Sequence, residues 1–126
     1  MTRTTPIPSN GELEILHVLW KNGPSTVRFV QEELQKERVI GYTTVLKLMQ
    51  VMAEKGLVTR NESERSHVYS PAVEESSVKR RLVSDMLDRV FDGSASQLVM
   101  QALSDKRASA EDLDEIRKLL DKRGAR

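Results

Sequence analysis

Between residues 41 and 71 a helical stripe runs straight into two short β-leaning pieces, and this order restricts the chain more than any other feature. In GYTTVLKLMQVMAEKG, Val45, Leu48, Met49, Met52 and Ala53 fall on one side of a helix, and Gly56 stands where a left-handed residue ends helices. Thr43 or Thr44 is its expected N-cap. Leu57 to Arg60 and His67 to Tyr69 then read as strands joined by polar residues 61 to 66, with Pro71 closing the hairpin. A helix that feeds such a hairpin is the last helix and the wing of a three-helix winged unit.

The preceding segment supplies the other two helices. Residues 1 to 8 hold two prolines and no periodicity, so they read as an irregular arm. Ser9 and Glu12 then have the S-x-x-E spacing of a capping box, and Leu13, Leu16 and Trp20 recur at helical spacing until Gly23 and Pro24 stop the run. The first helix is expected from about Asn10 to Lys21. Ser25 or Thr26 offers the next N-cap, and Val27, Val30 and Leu34 form one stripe before the polar QKER stretch. The second helix is therefore short, and with the helix after it makes a helix-turn-helix.

From Glu74 the pattern changes to longer helices. One carries Val78, Leu82, Val83, Met86, Leu87, Val90 and Phe91 and breaks at the DGS turn, residues 92 to 94. A second carries Leu98, Val99 and Leu103, and a third carries Leu113, Ile116, Leu119 and Leu120 behind an S-x-x-D cap made by Ser109 and Asp112. Some 55 residues of striped helix are too few to enclose these side chains alone, because isolated cores below about 70 residues supply little stability. The apolar stripes are expected to meet a second copy of the chain, with Leu82, Met86, Leu98, Val99, Ile116 and Leu120 in the contact. The expected architecture is mainly α with a small β-wing. Residues 1–72 form an N-terminal winged helix-turn-helix and residues 73–126 a C-terminal helical dimerisation region.

Composition removes several functions. There is no cysteine, which excludes disulfides, thiolate metal sites and a cysteine nucleophile. The two histidines, His17 and His67, lie in different elements, and the chain has no glycine-rich phosphate loop, H-E-x-x-H or nucleophile elbow. No catalytic group, metal site or cofactor is expected. His17 sits beside core positions of the first helix, where packing or exposure outweighs ligation, and the acidic run EDLDE at 111 to 115 simply suits a helix N-terminus. Without a long apolar run or an apolar leader, the expected address is the cytoplasm, with no membrane insertion. Lys plus Arg number 20 against 19 Asp plus Glu, so any case for nucleic acid rests on local placement. Aromatics at 4% disfavour base stacking.

Local placement is informative on the third helix. Thr43, Lys47 and Gln50 are spaced i, i+4, i+7 opposite the apolar stripe, together with Glu54. Gln can bond adenine bidentately, Lys can reach guanine or phosphate, and threonine offers a hydroxyl and a methyl to a major groove. Such residues also suit a merely solvated face, but the helix-turn-helix context favours the groove, since its second helix is the one that enters it. Arg60, Arg65 and His67 place positive charge on the wing, diluted by Glu62 and Glu64. The hydroxyls and amides at Ser25 and Thr26 could hold a phosphate, although capping explains them equally well.

Several stretches together, ELEILHVLWKNGPSTVRFVQEEL, YTTVLKLMQVMAEKGLVTR, HVYSP, SQLVMQAL and EDLDEIRKLL, resemble the penicillinase repressor family of bacterial transcription regulators, which includes methicillin-resistance and copper-responsive repressors. The resemblance runs over nearly the whole length. It implies a homodimer that binds double-stranded palindromic operator DNA and silences resistance or peptidase genes, with Thr43, Thr44 and Lys47 at recognition-helix positions. It also implies relief of repression by a membrane sensor and proteolysis of the repressor. The cleavage point of the penicillinase branch, an Asn-Phe pair, aligns with Gln101 and Ala102 here. Leu46 and Val51 stand where relatives often place basic residues, and the absence of cysteine removes the tail by which the copper branch senses its metal. The competing expectation is a winged-helix protein-interaction module without sequence-specific DNA binding, which the near-neutral charge permits.

Overall fold

The computed structural model describes residues 5–63, 65–105 and 107–124. Helix α1 (Asn10–Asn22) begins on the capping box read from the sequence. The Ser9 N–H donates to Glu12 Oε1 at 2.9 Å, and Ser9 Oγ accepts from the Glu12 N–H at 3.3 Å. It stops at Gly23, whose φ of 83° an L-side chain rarely adopts. Strand β1 (Ser25–Thr26) follows, and Thr26 also caps α2 (Val27–Gln35) by accepting from the Phe29 N–H at 3.1 Å. Ser25 is not the cap, because its hydroxyl donates back to Gly23 O at 2.9 Å.

Helix α3 (Tyr42–Lys55) corrects one expectation. Its N-cap is Gly41, which has no side chain to contribute, and Thr43 and Thr44 lie inside the first turn, exposed. The first-turn amides are left to solvent, and both threonine side chains are free of capping duty. The helix ends as expected at Gly56, in the left-handed region at φ 83° and ψ 15°. Strands β2 (Val58–Asn61) and β3 (Val68–Pro71) form the hairpin, with Arg60 opposite Tyr69 and Thr59 opposite Ser70. The sheet has a third strand that sequence reading missed. β1 pairs antiparallel with β3, Ser25 opposite Tyr69, giving the order β1-β3-β2. Glu64 of the wing loop lies outside the described residues.

Two compact units divide between Leu82 and Val83, inside α4 (Glu75–Val90). The first encloses a core of Ile15, Leu16, Leu19, Val27, Val30, Leu34, Ile40, Val45, Met49, Met52, Leu57, Val58 and Tyr69. Polar ties hold its elements in register. Trp20 Nε1 donates to Val73 O at 3.0 Å, fastening α1 to the segment after the wing. Gln31 Nε2, buried, donates to Ile40 O at 3.0 Å and so fixes the turn between α2 and α3. Arg38 grips Glu14 with two bonds, 2.7 and 3.3 Å long, tying the same turn to α1.

The second unit contains the end of α4, α5 (Ala95–Ser104) and α6 (Ala110–Gly124). Ser94 caps α5 by accepting from the Gln97 N–H, and Ser109 and Asp112 form the reciprocal cap expected for α6, both bonds at 3.0 Å. No described residue of this unit is buried.

Candidate nucleic-acid interface

The direction in which α3 faces follows from what it buries. Val45, Met49 and Met52 have no exposed surface, and they define a line along the core side of the helix. Thr43, Thr44, Lys47, Gln50 and Glu54 are all exposed on the remaining arc. At 3.6 residues per turn, Lys47 and Glu54 stand almost opposite that buried line. Leu46 and Leu48, half-buried, pack against the core at the two edges of the arc. The four α3 residues expected to meet DNA therefore share one surface.

The two wing arginines lie toward opposite ends of α3, on the same side of it. Arg60 faces an open hollow with Gln50, Ala53, Glu54 and Glu62. It is engaged within the wing, because Nη2 and Nε both contact Glu62 Oε2, at 2.6 and 2.9 Å. Tyr69 and then Glu62 hold its guanidinium above its ordinary value, so its charge is constant in any working buffer. Arg65 instead joins Ser66, His67, Thr26, Arg28 and Tyr42 around an open cleft of about 260 Å³ between the wing and the N-terminal ends of α2 and α3.

That cleft contains residues that sequence reading did not single out. The Arg28 guanidinium lies over the Tyr42 ring, 4.9 Å from its centroid, a cation–π arrangement that holds the charge at the mouth of the cleft. Arg28 sits one position after the buried Val27, on the outward side of α2, and Tyr42 is the first residue of α3. Position relative to the Thr26 cap was the available signal for Arg28. Its pairing with Tyr42 joins two elements and has no local sequence mark.

Beneath the surface, Glu12 and Lys55 lock the start of α1 to the end of α3. Glu12 is only 2% exposed and accepts from Lys55 Nζ at 2.8 and 3.1 Å. Burial alone would raise its carboxyl, but hydrogen bonds from Lys55 and the Ser9 N–H, with the charge of Lys55, outweigh it and hold the group below its ordinary value. The contact is an orienting one, since it fixes the far end of the helix that carries Lys47 and Gln50.

The other expected site residues lie in the helices after the wing. Leu82 ends the first unit, half-buried. In the second unit Met86, Val99 and Leu120 are exposed and Leu98 and Ile116 are half-buried. Gln101 and Ala102 are exposed within α5. His17 is exposed, with its ring edge-on to Trp20 at 5.5 Å. Among the described residues no group of His, Asp and Glu is arranged to hold a metal, and no helix is long and apolar enough to cross a membrane.

Three helices followed by a hairpin, with the polar side of the third helix turned outward, define a winged helix-turn-helix protein. The model of the penicillinase repressor family matches residues 8–122, and the chain belongs to that family. Among its relatives, the transcriptional regulator BlaI of Mycobacterium tuberculosis is 32% identical over 113 residues, covering 87% of this chain and 81% of the relative. The penicillinase repressor of Bacillus licheniformis is 26% identical, covering 92% and 91%. The methicillin resistance regulatory protein MecI of Mammaliicoccus sciuri is 24% identical, covering 91% and 94%. The solution structure of the DNA-binding domain of the repressor BlaI superposes with a TM-score of 0.52 at 28% identity, covering 61% of this chain and 93% of that one. The monomeric form of Bacillus licheniformis BlaI in complex with the blaP half-operator does so with a TM-score of 0.51, also at 28% identity.

Proposed function

We propose that this protein is a transcriptional repressor that binds double-stranded operator DNA as a homodimer. The observation that carries the reading is the outward arc of α3, where Thr43, Thr44, Lys47 and Gln50 project together from a helix anchored by Val45, Met49 and Met52. Inserted in a major groove, Gln50 and Lys47 offer hydrogen bonds to base edges, and the threonines offer hydroxyl and methyl. Arg65 toward the N-terminal end of α3 and Arg60 toward its C-terminal end supply backbone contacts that fix register without reading sequence. Residues 1–72 then constitute the DNA-binding domain, and residues 73–126 join two copies through Leu82, Met86, Leu98, Val99, Ile116 and Leu120. Twofold symmetry requires two half-sites separated by about 10 bp or a multiple of it.

Relief of repression is part of the proposal. A protease, activated by a membrane sensor, cuts near Gln101–Ala102 and removes the end of α5 and all of α6, with Ile116 and Leu120, from the dimerising region. Both residues are exposed, but they lie within α5, so cleavage requires local opening of that helix. The regulated genes are of the resistance or peptidase type, and the protein acts in the cytoplasm. No catalytic step is assigned to it.

Footprinting on the promoter of the protein's own gene tests the reading. Two protected half-sites on one face of the duplex are expected, with affinity falling steeply as salt rises. Absence of any footprint, together with a stable complex with another protein, would replace this reading with the interaction-module alternative.

A further inference from the structure

The two flanks of Lys47 differ in chemistry. One flank carries Gln50 and Thr43, which are polar and exposed. The other carries Thr44, Leu48 and Val51, which with Lys47 and Thr43 line a shallow open hollow of about 500 Å³. Leu48 forms its floor toward α1, where its Cδ1 comes within 3.4 Å of the place a Cβ on Gly11 would occupy. Val51, half-buried, lies one helical turn from both Lys47 and Leu48 and two turns from Thr44, so its methyls stand in line with the methyl of Thr44.

This wall has little to offer the polar edge of a base. Packing it against guanine, adenine or cytosine would strip water from donors and acceptors without replacing their bonds. Thymine alone presents an apolar group to the major groove, its C5-methyl, with the O4 acceptor beside it. The ammonium of Lys47, at the edge of the hollow, has the charge that such an acceptor or a neighbouring phosphate requires.

We propose that Thr44, Leu48 and Val51 form a seat for the C5-methyl of thymine, so that each half-site carries thymine where this flank of α3 meets the groove. The inference rests on α3 being the groove-reading helix and specifies what one side of it reads. Val51 is the specificity-determining residue, and Leu48, packed against the core, is the floor beside it.

The test uses the full-length protein and a pool of random 30-bp duplexes, from which the tightest binders are selected. Each thymine of the selected duplex is then replaced singly by deoxyuridine, which pairs identically and lacks only the methyl. At one or two positions per half-site the replacement is expected to weaken binding about three- to fivefold, the effect of one buried methyl. Val51→Ala is expected to bind the thymine and deoxyuridine duplexes alike at those positions. Alanine is a good helix former, so the variant keeps α3 intact. Equal binding of all deoxyuridine duplexes by the wild type, or undiminished discrimination in Val51→Ala, would overturn the methyl seat while leaving DNA binding in place. A pool yielding no enriched duplex would instead overturn the groove-reading assignment beneath it.

Discussion

In the first unit Ile15, Leu16, Leu19, Val45, Met49 and Met52 have no exposed surface, whereas in the second Val90, Met100 and Leu120 stand 64 to 67% exposed. Both units carry apolar residues at helical spacing, and only the first encloses them. The difference lies in what the helices have to pack against. α1, α2 and α3 converge on one another and on a three-stranded sheet, so each stripe finds an opposing surface. The last helices contribute stripes with no described layer opposite them, and helical stability comes chiefly from packing an amphipathic face. An enclosed first unit joined to helices with uncovered stripes is the arrangement that the proposed homodimer on two half-sites requires.

The largest effect should come from charging the uncovered stripes. Leu98→Asp or Leu120→Asp is expected to halve the sedimentation mass at micromolar concentration and to abolish cooperative occupancy of the two half-sites. An unchanged mass in both variants would show that the second unit's stripes serve some other purpose.

Truncating the same residue type in each unit gives the next effect. Leu16→Ala, in the core of the first unit, should cost about 2–5 kcal/mol in urea unfolding. Leu119→Ala, on a side chain 56% exposed, should cost well under about 1 kcal/mol wherever the chain is monomeric. Similar losses would erase the contrast between the units.

A smaller effect separates the units by pH. The Glu12 carboxyl is held below its ordinary value of 4.5 in the folded first unit. A depressed carboxylate contributes stability that is present above the unfolded value and lost as pH falls through the folded one. Stability of the first unit should therefore decline below about pH 4.5, and Glu12→Gln should flatten part of that decline while costing about 1–2 kcal/mol at neutral pH. Chemical denaturation at pH 7 and pH 3.5 reads both. An unaltered acid response in the variant would remove Glu12 as its source.

The smallest effect concerns the cleft beside the wing. Arg28→Ala should weaken binding to all duplexes similarly and lower the slope of log affinity against log salt by about 1. A change confined to particular base pairs would make Arg28 a base reader instead.

The elements that local chemistry specifies were legible in the sequence. Ser9 and Glu12 announced α1, Gly56 ended α3, Ser109 and Asp112 capped α6, and the hairpin followed from its two short β-leaning pieces. β1 was not legible. It consists of two residues whose strand character exists only through pairing with β3, and Thr26 also serves as a helix cap. The N-cap of α3 was misplaced at Thr43 or Thr44 because both residue types favour caps, while a glycine at Gly41 leaves the role unfilled. On the candidate interface, Lys47 and Gln50 could be read from periodicity alone. The Arg28–Tyr42 stack could not, because it joins two elements across the turn.

The proposed repressor reads DNA through the arc of α3 centred on Lys47. A titration of wild type and Lys47→Ala against the footprinted operator and a scrambled duplex, at matched salt, tests it most directly. A loss of about 1–3 kcal/mol on the operator and a smaller loss on the scrambled duplex are expected. Equal operator affinity for the two proteins would contradict it.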